Sequence, residues 1–181
     1  NHPNGELEHL DKTLSHAHRL NIHPLVLEVA STTKALYAFN EVALLREEHQ
    51  AIKLKISVDG KVRLPELIGD GCLIATPVGS TAYNYSAGGP ILPITSNLLS
   101  LTPLSPFRPR RWSGALLPQE CVIDIEVMDP ENRPVSVSAD YQEVRDIHRV
   151  RIFRDSNKSV TLLYNAQETL EERSIAEQFM V

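Results

Sequence analysis

The densest run of chemistry-bearing residues lies between Gly69 and Pro90: Gly69-Asp70-Gly71, the apolar Cys72-Leu73-Ile74-Ala75, then Thr76-Pro77-Val78-Gly79-Ser80-Thr81-Ala82-Tyr83 and Asn84-Tyr85-Ser86-Ala87-Gly88-Gly89-Pro90. The pattern predicts a strand ending in a Pro-Val-Gly turn. Ser80 or Thr81 then caps a helix of one or two turns, which Gly88-Gly89 stops. Unpaired N–H groups at such a helix start, with side-chain hydroxyls between Ser80 and Ser86, suit a polar ligand such as a nucleotide or its sugar. The glycines let backbone approach that ligand closely. An ordinary, well-capped strand–turn–helix reads from the same residues, and pattern alone leaves both readings open.

Other candidate groups are weaker. Five histidines fall in the first 23 residues, at His2, His9, His16, His18 and His23. His9 and His16 share a helical face while His16 and His18 point apart, so a solvent-facing helix is the better reading than zinc. Arg108, Arg110 and Arg111 beside Phe107 and Trp112 form a compact basic–aromatic cluster that could meet a phosphate or an acidic surface. A serine hydrolase is disfavoured, because no Gly-x-Ser-x-Gly elbow is present and neither Ser80 nor Ser86 has an assignable His–Asp pair. Cys72 and Cys121 sit in apolar stretches and read as small buried hydrophobes of a reducing compartment, which makes the cytoplasm the default location.

The surrounding elements are mostly strands. Leu7, Leu10, Leu14, Ala17 and Leu20 are spaced for a helix over 6–20. Beyond Pro24 the period changes, with a strand over 25–29 and a second over 35–45. Ile52, Leu54, Ile56 and Val58 alternate with polar residues up to Asp59-Gly60, which predicts a hairpin with a primed turn and a return strand as far as Pro65. Further apolar runs follow at 72–75, 122–128, 135–139, 150–153 and 160–164, and the segment 168–180 reads as a closing helix. The chain is therefore expected to be one mainly-β domain with peripheral helices, an α+β arrangement being the second choice.

Composition narrows the partners. The 181 residues are 42% hydrophobic and carry a net charge of −5, with no basic tract. Nucleic acid and anionic membranes are poor first guesses, and no apolar run reaches the ~18–20 residues needed to span a bilayer.

The order of residues in the Gly69–Pro90 segment resembles the signature of the NAD kinases, which phosphorylate the 2′-hydroxyl of the adenosine ribose of NAD to give NADP. Asn40-Glu41, set in Ala38-Phe39-Asn40-Glu41-Val42, matches that family's Asn-Glu pair. Val137-Ser138-Ala139-Asp140-Tyr141-Gln142 resembles its late strand, where Val-Asp-Gly-Gln is usual. The resemblance covers about residues 35–145 and implies a β-sandwich-like C-terminal NAD kinase domain.

Residue by residue, it implies that Asn40 and Glu41 contact the adenosine end, Glu41 accepting from ribose hydroxyls because a carboxylate can take one vicinal hydroxyl on each oxygen. Thr81, Ala82 and Tyr83 would line the adenine pocket, Tyr83 offering a ring face. Asp70 would sit near the nicotinamide, often across a subunit interface, although an Asp between two glycines is also a complete turn. Ser86 would reach the same ribose or close the helix. Ser105, Trp112 and Gln142 are open to either ligand or interface contacts. Val78 stands where Thr or Ser is usual, and Tyr141 where Gly is usual.

The family's Gly-Gly-Asp-Gly motif, whose Asp works at the reacting hydroxyl beside the ATP phosphates, does not occur in these residues. In the family it belongs to an N-terminal α/β domain. The expectation is that residues 1–181 form the NAD-binding C-terminal domain, with 1–21 a helical remnant joining the missing part, and that the chain is inactive alone. The resemblance also implies ATP or polyphosphate as donor, a magnesium ion, and a homodimer or homotetramer. The competing readings are a non-catalytic NAD(P)-binding or assembly module, and a related diacylglycerol-type lipid kinase domain.

Overall fold

The computed structural model describes residues 17–165, with Leu14 and Phe179 as isolated positions. Two antiparallel sheets dominate. The first has the order β3 (Leu36–Ala38), β2 (Leu25–Val29), β13 (Arg149–Arg154), β10 (Ile123–Met128), β5 (Ile52–Val58), β6 (Lys61–Gly69). The second runs β12 (Gln142–Val144), β11 (Val135–Ala139), β4 (Glu41–Arg46), β7 (Gly71–Ala75), β8 (Leu98–Leu104), β9 (Ala115–Pro118). A separate ribbon pairs β1 (Ala17–Ile22) with β14 (Val160–Asn165).

Period-2 alternation decides which face of each sheet is buried. Leu25, Leu27, Ile52, Leu54, Ile56, Ile123, Ile125, Val150 and Ile152 of the first sheet meet Val42, Leu44, Cys72, Ile74, Leu99, Val135 and Val137 of the second in one core. The outward residues of the first sheet are charged, with Lys55 on Glu126 at 2.7 Å and both Arg149 and Arg151 on Asp124 at 3.2 and 3.0 Å. That face is solvated. On the outer face of the second sheet Ala43, Leu73, Ala75 and Leu104 form a second apolar cluster, with Ala87 packed on it, beside the buried hydroxyls of Ser100 and Thr102. The mainly-β sandwich expected from the sequence is the observed fold.

The Asp59-Gly60 hairpin has the expected primed character, with φ of 51° and 72°. Its return strand continues through Pro65 to Gly69 because register shifts in this stretch leave extra residues opposite Lys55, and β6 is an edge strand where a missing N–H is tolerated.

Three expectations need correction. Ala17 and Leu20, assigned to a helix over 6–20, lie in β1, because pairing with β14 outweighs the local helical spacing; His18 stacks on Tyr164 with centroids 5.5 Å apart. Before Ala17 only Leu14 of that helix is described, and it is helical, as is Phe179 of the closing helix 168–180; the rest of both segments lies outside the described residues. The single strand over 35–45 is two strands, β3 and β4, in different sheets, and the chain crosses between the sheets at Phe39-Asn40. Strands β8, β9 and β12 were not anticipated. In β8, Pro103 pairs with β7 beyond the stretch that β9 covers, so the strand survives its proline.

A candidate nucleotide-binding face

The outer face of the second sheet is the one surface of the sandwich that the Gly69–Pro90 segment covers. Strand β7 ends at Ala75, and Thr76 turns the chain against the crossover. Its N–H donates to the Asn40 carbonyl at 2.9 Å and its hydroxyl to the Phe39 carbonyl at 2.6 Å. The same hydroxyl accepts from the Gly79 N–H at 3.1 Å. A Cβ at Gly79 would collide with the Asn40 carbonyl, so only glycine allows the two segments to touch.

Gly79–Thr81 forms a 3-10 turn and Tyr83–Ser86 a single α-turn, α1. Neither Ser80 nor Thr81 caps it: the N-cap is Ala82, with no side-chain hydrogen bond. The fully buried Ser80 instead donates to Pro77 O at 2.7 Å and accepts from Leu92 N at 2.9 Å, which ties both ends of the loop. Gly88, at φ 80°, stops the helix as expected. Asn84 is also fully buried; its amide donates to Ser80 O and Pro90 O, and its Oδ1 accepts from Thr102 Oγ1 at 2.7 Å, with Ser100 hydroxyl 2.9 Å further on. A satisfied polar network of this kind fixes one arrangement, since each buried group would otherwise be unpaired.

The crossover itself is held from a third strand. The Asp140 carboxylate accepts from the N–H groups of Phe39, Asn40 and Glu41 at 2.8, 3.0 and 3.2 Å, and Asp140 N donates to Glu41 O at 3.1 Å. Asp140 takes φ 49° in the β11–β12 turn, a conformation that Asp tolerates, and Tyr141 beside it is 90% exposed. The sequence singled out Asp140 only as part of a motif. Its position after an apolar strand, as a turn-favouring residue whose carboxylate can accept from nearby backbone N–H groups, was the available signal for a backbone anchor.

Glu41 is thereby set opposite Ala75 at the start of β4. One of its oxygens, Oε2, is buried without a hydrogen-bond partner among the described residues. Burial raises its carboxyl above the ordinary carboxylate range, and the negative charge of Asp140 adds to the effect. A half-buried carboxylate with an unused acceptor oxygen is suited to a donor brought by a ligand.

At the other end of β4, a cleft of about 920 Å³ is lined by Leu45, Arg46, Asp70, Tyr83, Ser86 and Ser105, among others. Asp70 is held there by Arg46 at 2.7 Å. Register places Glu41 opposite Ala75 and Leu45 opposite Gly71, four residues along the same pair of strands. At about 3.3 Å per residue this separates the two ends by ~13 Å, a span for an extended ligand with polar groups at both ends.

The structure therefore gathers Asn40, Glu41, Asp70, Tyr83, Ser86 and Ser105 along this face, with Thr81 and Ala82 exposed in the covering segment. It does not bring in Trp112, which packs against the core. Gln142 stands on the edge strand β12, paired with Ala139. The arginine loop folds along the first sheet's edge: Ile68 N donates to Arg108 O at 2.8 Å, Arg108 faces Glu66 at 3.6 Å, and Arg110 lies 5.5 Å over the Phe107 ring. Cys72 and Cys121 are free, buried thiols whose pKa values burial pushes up to about 12 and about 11, so neither is a nucleophile. No helix among the described residues is long and apolar enough to cross a membrane.

Comparison with known proteins places this face in a family. The family model for the ATP-NAD kinase C-terminal domain matches residues 39–164. An NAD kinase of Caulobacter vibrioides is 52% identical over 166 residues, covering 90% of the chain and 64% of that protein. One from Xanthomonas campestris is 49% identical over 165 residues, covering 91% of the chain and again 64% of the relative. The chain thus spans a little under two thirds of the length of these relatives. Among solved structures, yeast NADH kinase complexed with NADH superposes with a TM-score of 0.79 at 23% identity, over 94% of the chain and 52% of that protein. An NAD kinase from Archaeoglobus fulgidus in complex with ATP gives 0.74 at 23% identity, over 88% and 59%. These two likenesses establish the shared fold, and the sequence match establishes the kinship: the chain belongs to the ATP-NAD kinase family, through its C-terminal domain.

Proposed function

We propose that this chain is the NAD-binding domain of an NAD kinase, which transfers a phosphoryl group from ATP or polyphosphate to the 2′-hydroxyl of the adenosine ribose. One observation carries the reading: the buried, unpartnered Oε2 of Glu41, on a crossover that Asp140, Thr76 and Gly79 hold in place. An acceptor oxygen of this kind would take a ribose hydroxyl and fix the acceptor sugar. Thr81, Ala82 and Tyr83 would enclose the adenine, and Ser86 and Asp70 would meet the distal part of the dinucleotide.

Phosphoryl transfer needs the donor phosphates placed in line and their charge neutralised. Among the described residues no three His, Cys, Asp or Glu side chains converge to hold a metal ion. The donor and its magnesium therefore fall, in this reading, to a Gly-Gly-Asp-Gly domain outside these residues. This chain's part is to bind and orient the acceptor and to keep the 2′-hydroxyl fixed, in a soluble cytoplasmic enzyme.

The test is a paired one on the purified 181-residue chain. Calorimetry is expected to detect NAD binding, while incubation with NAD, ATP and magnesium is expected to yield no NADP. Turnover by the chain alone would contradict the division of labour, and an absence of NAD binding would contradict the site.

A further inference from the structure

We propose that the open end of the β-sandwich, beside the Thr76-Pro77-Val78 turn, binds a small organic anion: a carboxylate carried on a short apolar body. Strands of a sandwich ordinarily end in residues that plug the space between the sheets. Here β13 ends in Arg154, which follows Val150 and Ile152 in the inward register and pairs with Leu25. Its side chain is only 18% exposed.

The guanidinium is held by its outer nitrogens. Nη1 donates to Gln119 Oε1 at 3.3 Å, Gln119 Nε2 donates to Asn97 Oδ1 at 2.9 Å, and Nη2 meets Glu120 at 3.0 Å. Nε, in contrast, is buried with no partner among the described residues, and so is the hydroxyl of Ser96. Both residues line one cavity of about 270 Å³. Two buried, unused polar groups in one cavity call for a ligand that accepts hydrogen bonds, because a buried donor left unpaired keeps its full desolvation penalty.

The remaining lining fixes the class. No lining residue carries a carboxylate, and Leu20, Ile22, Leu25, Val78 and Leu99 supply apolar wall. Glu120, the guanidinium's ion-pair partner, is 65% exposed and outside the lining. A single guanidinium edge, with the Nδ1 of the lining His23 already 3.2 and 2.7 Å from the Asp155 and Lys158 carbonyls, suits a monoanion better than a phosphate dianion, which would need further cations. The cavity lies below the range of about 300–1,000 Å³ typical of drug-sized ligands, so the body is short. The site is distinct from the nucleotide face: it opens between the sheets, and its only shared element is the turn at Thr76.

Amide spectra of the 181-residue chain, titrated with benzoate, test this directly, with neutral benzamide and inorganic phosphate as comparisons. Benzoate is expected to give saturable shifts at residues 20–25, 76–78 and 94–97. Loss of a charged hydrogen bond predicts affinity weaker by about tenfold or more for Arg154→Gln, and likewise for benzamide on the unaltered chain. Ser96→Ala keeps the guanidinium and is expected to weaken benzoate by a smaller factor, so it decides the matter if Arg154→Gln does not fold. The proposal is overturned if benzoate shifts are absent or map elsewhere. It is equally overturned if benzamide binds as well, if phosphate binds in place of benzoate, or if Ser96→Ala leaves the affinity unchanged.

Discussion

Glu41 is the residue on which the account turns, and its environment has a consequence for stability. Burial and the neighbouring Asp140 raise its carboxyl in the folded protein. Between the unfolded and the raised folded value, the folded state binds more protons, so stability falls as pH rises through that window. Glu41→Gln is expected to remove this part of the decline and to make the unliganded protein more stable than the wild type at neutral pH. Urea unfolding at a series of pH values from about 4 to 7 checks this, since the ordinary carboxyl value lies near the bottom of that range. An unchanged pH slope would contradict the buried setting of Glu41. The same substitution separates binding from folding, because a residue kept for its ligand is not placed there for stability.

At the scale of elements, the site is made where two segments distant in sequence are forced together. The Gly79–Asn40 contact is one of these, and Gly79→Ala would push a methyl group into the Asn40 carbonyl. Overpacking of this kind costs about 1–3 kcal/mol. NAD affinity is expected to drop with it, because the crossover bearing Glu41 must move. Denaturant midpoints and NAD titrations on the variant check both effects; a stable variant with full affinity would show that the contact is dispensable. The motif Gly79-Ser80-Thr81-Ala82-Tyr83 was legible in the sequence, as were the hairpin at Asp59-Gly60 and the helix stop at Gly88. The buried use of Ser80 was not, since a hydroxyl after a turn reads equally well as a cap. Nor was the break between β3 and β4: Ala35–Leu45 is apolar on both sides of Asn40-Glu41 and reads as one strand, and Asp140, a hundred residues away in sequence from Asn40, supplies acceptors that stabilise the crossover. The β1 strand was hidden for the same reason, its partner β14 being far along the chain.

At the scale of the molecule, the two sheets have different outer faces, one charged and solvated, the other carrying an apolar cluster and buried hydroxyls on which the segment bearing α1 packs. Alternation in the strands made the shared core legible, but which outer face the Gly69–Pro90 segment covers followed only from strand order. One edge of the second sheet is β9, where Leu116 is 52% exposed, and Phe107 nearby in sequence is 57% exposed. An open edge with apolar side chains is a pairing surface. Together with the family resemblance it leads us to expect a homodimer or homotetramer, which sedimentation velocity would register; a monomer at micromolar concentration would contradict that expectation.

The central claim is that the Asn40–Glu41 crossover holds the adenosine ribose of NAD. Calorimetric titration of NAD into the wild-type chain and into Glu41→Ala tests it most directly. Because hydrogen bonds to a charged group contribute about 1.5–3 kcal/mol, the account expects affinity to fall about tenfold or more with the fold intact. Equal affinity in the two proteins would contradict it.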